Sequence, residues 1–87
     1  MIGTDFSNRA AAVRSREDLV DFIRELVRDY HENREHWENA TLDQYVAALA
    51  AWAEDMDGYF RNRGEPVPQS PSWNTIAMML LAARQYE

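Results

Sequence analysis

A chain of 87 residues has room for one domain and a thin core, because a chain of this size hides only about 60–65% of its unfolded surface on folding. With no cysteine, neither a disulfide nor a thiolate metal centre can staple it, so stability rests on packed side chains, above all the three tryptophans, four tyrosines and three phenylalanines. Fifteen acidic residues against nine arginines leave a net charge of −6, which weighs against nucleic acid and anionic membrane surfaces as partners.

Residues 1–14 are weakly patterned. Met1-Ile2-Gly3-Thr4-Asp5 lacks the basic region and apolar run of a secretion signal. No apolar run approaches the roughly 18 residues that span a bilayer. The expected location is the cytoplasm, where the Asn39-Ala40-Thr41 sequon is a chance match. Ala10-Ala11-Ala12-Val13 suits a short helix or a packed arm, and the stretch as a whole reads as a mostly irregular N-terminal arm.

Ser15 opens the first strongly patterned helix, expected over 16–33, with Asp18 placed to meet the free N–H groups of its first turn. Leu19, Val20, Phe22, Ile23, Leu26, Val27 and Tyr30 fill one arc of roughly 160°. Glu17, Asp21, Arg24, Glu25, Arg28 and Glu32 form a solvated opposite face. The connector from His31 to Ala40 is polar apart from Trp37, which is expected to anchor it over the helix ends.

Thr41-Leu42-Asp43-Gln44 is a capping box that opens a second helix, expected over 42–63. Its apolar face, from Leu42 and Tyr45 to Tyr59 and Phe60, passes Gly58 without a break, so this glycine belongs inside the helix at a cost of about 1 kcal/mol against alanine. Gly64 suits the left-handed C′ position, and Pro66 forbids continuation. After an extended connector, a third helix is expected over 71–86, with Ser70 as cap, Pro71 in the first turn and Ser72 as the alternative cap. Trp73, Ile76, Ala77, Leu80 and Leu81 form its inner face, while Met78, Met79, Ala82 and Ala83 cover most of the rest. A helix apolar nearly all round is central or buried in an interface. The fold class is therefore all-α: a small orthogonal or up-down bundle of three helices over 15–87, with room for a short N-terminal fourth.

Most familiar chemistry is missing. His31 and His36 are five apart, so one helical face cannot present both to a metal, and they read as exposed loop residues. A calcium loop with Gly58 in its sixth position would start at Ala53 and end at Gly64, neither of which can supply a carboxylate. There is no phosphate-binding glycine loop and no nucleophile elbow. Asp55 and Asp57 diverge by about 160° on one helix and cannot work as an acid–base pair. No metal and no cofactor are expected.

Two constellations remain. Asp57 and Arg84 fall on or beside apolar faces, where charges need partners. They are expected to pair, or to share a tyrosine hydroxyl such as that of Tyr59, either as a structural contact or as a small polar pocket walled by Trp52, Tyr59 and Trp73. Separately, Ala47, Ala51 and Gly58 lie within about 40° of one another behind the second helix. They are either ordinary helix formers or a second packing face for the arm or another chain, with Met78, Met79 and Ala82 as adaptable neighbours.

Ser15-Arg16-Glu17-Asp18-Leu19, Trp37-Glu38-Asn39-Ala40-Thr41-Leu42, Ala48-Leu49-Ala50-Ala51-Trp52, Asp55-Met56-Asp57-Gly58-Tyr59 and Pro71-Ser72-Trp73 resemble a family of short bacterial proteins classed only as a domain of unknown function. The resemblance spans roughly residues 15–87. It implies a bacterial, cytoplasmic, stand-alone domain and brings no activity, cofactor or catalytic residue. The expected role is a non-enzymatic module that binds another protein, accessory or immunity-like, or a second copy as a homodimer. The rival is a small-ligand site or minor enzyme at Asp57, Tyr59 and Arg84.

Overall fold

The Ser15 hydroxyl accepts the Asp18 N–H, and the helix it opens runs over Arg16–Asn33. The computed structural model describes residues 2–86, and the outer ends of the expected arm and domain, Met1 and Glu87, lie outside the described residues. In chain order the helices are α1 (Ile2–Ala12), α2 (Arg16–Asn33), α3 (Leu42–Asn62) and α4 (Trp73–Ala82), with a 3-10 turn at Arg34–His36 after α2. No strand occurs among the described residues.

The local signals of α3 are realised in full. Thr41 and Gln44 form the reciprocal capping box. Gly58 sits inside the helix. At the far end Gly64 takes φ +70°. Its N–H donates to Arg61 O and the Glu65 N–H to Phe60 O, the paired bonds of a Schellman motif.

Two elements differ from the sequence reading. The N-terminal stretch is helical, not an irregular arm. Phe6, Ala10 and Val13 are buried in the main core cluster with Leu19, Phe22, Leu26, Trp37 and Ala77. Their spacing of four and three residues makes one stripe, but with a single large side chain it is too thin to stand out; the helix is held by what it packs on. The last helix is shorter than expected at both ends. Ser72, not Ser70, caps it by accepting the Thr75 N–H. At the other end Asn39 takes over the freed carbonyls: its backbone N–H donates to Arg84 O (2.9 Å), and its side-chain amide to Ala83 O (3.0 Å) and Tyr86 O (2.8 Å). A loop residue thus ends α4 by satisfying the groups that another turn would have used.

α4 packs against each of the other three helices, which accounts for its apolarity on nearly every side. α2 and α3 scarcely touch each other. The bundle is therefore organised around a short central helix, and its two longest helices lie apart.

Candidate functional site

The most buried charge among the described residues is Asp29, 5% exposed near the end of α2. The Trp37 indole N–H donates to Oδ2 at 2.8 Å, the Asn33 amide to Oδ1 at 2.9 Å, and the Arg84 guanidinium to Oδ2 at 3.1 Å. Arg84 also lies over the rings of Phe6 (5.4 Å) and Trp37 (5.8 Å). Burial pushes the Asp29 carboxyl up, but the Trp37 and Asn33 hydrogen bonds and the adjacent guanidinium more than offset it and hold the carboxyl below the usual range. Each donor comes from a different part of the chain, so the carboxylate ties the end of α2, the connector and the turn after α4 together. Three protein donors thus meet its two oxygens.

This network corrects the expected pairing of Asp57 with Arg84. Asp57 is exposed, and its nearest cation is Arg61, one turn on, at 3.9 Å. Arg84 pairs instead with Asp29, which lies about 20° from Phe22 on the margin of the α2 apolar arc. That placement was the available signal, and an acid on an apolar margin calls for a cation as surely as the reverse.

The proposed polar pocket is dispersed for the same reason. Trp52 and Tyr59 do meet, with ring centroids 5.6 Å apart, and with Arg84 they line a cleft of about 610 Å³ between α1, α3 and α4. Asp57 lines a separate depression, with Asp55 and Tyr86, and Trp73 stands 41% exposed and lines neither. The Tyr86 hydroxyl donates to Asp55, which raises the Tyr86 pKa. His31 and His36 are both exposed.

Ala47 is exposed, Ala51 and Gly58 are half-buried, and a methyl group at Gly58 would meet nothing within 4 Å. Met78 packs against the core cluster, and Met79 and Ala82 are half-buried in the central helix. These residues do not form an exposed apolar strip.

The exposed apolar surface lies elsewhere, between α2 and α3. Val20 (39%), Ile23 (38%) and Val27 (52%) project from α2, and Leu42 (79%) and Val46 (52%) from the start of α3. Between these two banks runs an open groove of about 410 Å³. Ile23, Val27 and Leu42 of these banks line it together with Leu26, Tyr30, Trp37, Tyr45 and Leu80. Its aromatic base is held firmly: Trp37 stacks on Tyr45 (5.7 Å) and meets Tyr30 edge-on (5.1 Å). The Tyr30 hydroxyl donates to Ala40 O and the Tyr45 hydroxyl to Leu80 O. Burial pushes the Tyr45 phenol up to about 12, against a smaller opposing pull from Arg84. The groove offers apolar surface on a rigid aromatic base, and both phenols lining it donate to backbone carbonyls.

Periodicity marked the helical residues among these as apolar-face, and so as core, with Trp37 expected as an anchor of the connector; it gives direction around a helix without saying whether another element arrives to cover it. No helix among the described residues is long and apolar enough to cross a membrane. Comparison with curated proteins and with solved structures found no match. Residues 15–87, which include the whole groove and leave out α1, match the sequence profile of a family of unknown function (DUF7660), and the chain belongs to that family.

Proposed function

We propose that this chain is a non-enzymatic interaction module that holds an amphipathic helix of a protein partner in the groove between α2 and α3, acting as an accessory or immunity-like component. The observation that carries this reading is the pair of apolar banks, with Val27, Leu42 and Val46 all more than half exposed beside a preformed aromatic base. Apolar surface gathered in one place and rimmed by charge is the usual mark of a binding surface. A helix laid in such a groove buries residues at i, i+3 or i+4, and i+7. The base is already rigid, so binding need not order it. The Tyr30 and Tyr45 hydroxyls are both engaged with backbone carbonyls, which suits a binding surface. The resemblance to short bacterial proteins supports a bacterial, cytoplasmic setting.

Selection from a displayed library of helical peptides tests the reading. Peptides with apolar residues at i, i+3 or i+4, and i+7 are expected to be enriched by the wild type and to bind Val27→Asp/Leu42→Asp at least about tenfold more weakly. If no such peptides emerge, or the double variant binds them equally well, the groove is not a helix-binding site.

A further inference from the structure

We propose that the face shared by α4 and α2 is a docking site for an amphipathic helix, filled in this chain by its own α1, which leaves and returns while α2, α3 and α4 stay folded. This face is separate from the groove between α2 and α3 and does not depend on what that groove holds.

The first support is how α1 is held. Phe6, Ala10 and, just past the helix end, Val13 are buried in the core cluster. Their spacing of i, i+4 and i+7 is that of a helix laid into a groove. Phe6 meets Phe22 edge-on and lies under the Arg84 guanidinium. Ala10 and Ala77 of α4 are both wholly buried in that cluster, so the two helices pass closely where both side chains are small. Among the described residues no backbone hydrogen bond joins α1 to another helix. Its ion pair there, Arg9 with Glu25 at 3.0 Å, is partly exposed. A helix of 11 residues is marginal alone in water, so α1 is helical because it is docked. The contact amounts to peptide binding within one chain.

The second support is what surrounds α1. Clefts of about 200 and 210 Å³ separate it from the two ends of α2, and the cleft of about 610 Å³ runs along its α3 side. Little beyond its anchors therefore grips it. The third support is the family match, which spans residues 15–87. It includes Phe22, Ala77 and Arg84 beneath α1 and leaves out α1 itself, so the matched segment carries a buried face whose cover lies outside it. The link of Val13, Arg14 and Ser15 keeps α1 at an effective concentration on the order of millimolar. A weak ligand stays seated at that concentration, and a tighter one displaces it. The helix that fits has an aromatic residue at i, alanine or glycine at i+4 and a branched aliphatic residue at i+7. A larger side chain at i+4 would lift it off Ala77.

Cutting the folded protein tests this. A protease site inserted between Arg14 and Ser15 lets the full chain fold before it is nicked. The nicked protein is expected to keep its α1 peptide at high concentration and to release it on dilution. Residues 15–87 are expected to retain their helical far-ultraviolet signal and to rebind a labelled peptide of residues 2–14. Peptides carrying Phe6→Ala or Ala10→Leu are expected to rebind at least about tenfold more weakly. Ala11→Leu adds the same bulk one position on, at an exposed residue, and is expected to rebind like the wild-type peptide. Uncut protein, whose own α1 competes, is expected to take up the labelled peptide at least about tenfold more weakly than the stripped protein. Hydrogen exchange on the intact wild type gives a separate reading: the α1 amides are expected to exchange together, at least about tenfold faster than those of α4. A nicked protein that loses its other helices as the peptide departs overturns the proposal, because α1 is then part of one cooperative core. So do α1 amides that open only with α4, and so does equal rebinding by all four peptides.

Discussion

Asp29 and Arg84 are 5% and 12% exposed at their side chains and 3.1 Å apart. Removing one member of such a pair leaves the other charge buried, a loss of about 3–5 kcal/mol. Arg84→Ala is therefore expected to lower the unfolding free energy by about that amount in urea titrations, while Arg61→Ala, whose partner Asp57 is exposed at 3.9 Å, changes it by less than about 1 kcal/mol. The Asp29 carboxyl titrates below its unfolded value of about 3.9. In acid the unfolded chain then binds the extra proton, so the contribution from Asp29 is present above about pH 4 and is lost as pH falls through the folded value. Stability measured against pH should show a shallower acid slope in Asp29→Asn. Tyr45 acts in the opposite sense. Its folded value of about 12 exceeds the unfolded value of about 10, so its contribution is complete below about pH 10 and fades toward pH 12. Ultraviolet titration should find a late-ionising phenol that disappears in Tyr45→Phe. At this scale the sequence showed that Arg84 needed an acid but not which one. Arg84 and Asp29 are 55 positions apart, and chain position carries no distance over that span.

At the scale of the element, the strongest readings were those decided within a few residues. The Ser15 cap, the Thr41–Gln44 box, Gly58 inside α3 and Gly64 beyond its end all depend on groups less than two turns away. Two glycines should therefore respond oppositely to the same change. Gly58→Ala meets open space and is expected to stabilise by about 0.5–1 kcal/mol. Gly64→Ala must adopt φ +70° and is expected to cost about 1–2 kcal/mol. Thermal melts of the two variants check both signs. The weak readings were α1 and the ends of α4, which depend on distant partners. Phe6 reaches Phe22 edge-on at 6.1 Å and lies under the Arg84 guanidinium. Asn39 holds carbonyls at the end of α4, 44 and 47 positions on. Phe6→Ala should cost about 3–5 kcal/mol by cavity formation, a large loss for a stretch whose pattern alone suggested an arm.

For the whole molecule, the central question is why α2 is covered on only half of its apolar arc. Leu19, Phe22 and Leu26 are buried, while Val20, Ile23 and Val27, on the adjoining half, remain exposed. Leu26→Ala and Val27→Ala alter neighbouring apolar positions, yet the first should cost about 2–5 kcal/mol and the second less than about 1 kcal/mol when measured on dilute protein.

The sequence by itself determined where α2 and α3 run, how they are capped, where α3 stops and that a further helix follows Pro71. These follow from hydrogen bonds and side-chain directions that repeat every turn, so nearby residues suffice to specify them. The tertiary structure alone decided that α1 is a helix and that Arg84 belongs to Asp29. It also made α4 the hub and left α2 and α3 apart with a groove between them. Burial and pairing need a second surface to arrive. The α2 arc of roughly 160° is wider than the short central helix and α1 together cover, and the uncovered remainder is the candidate site.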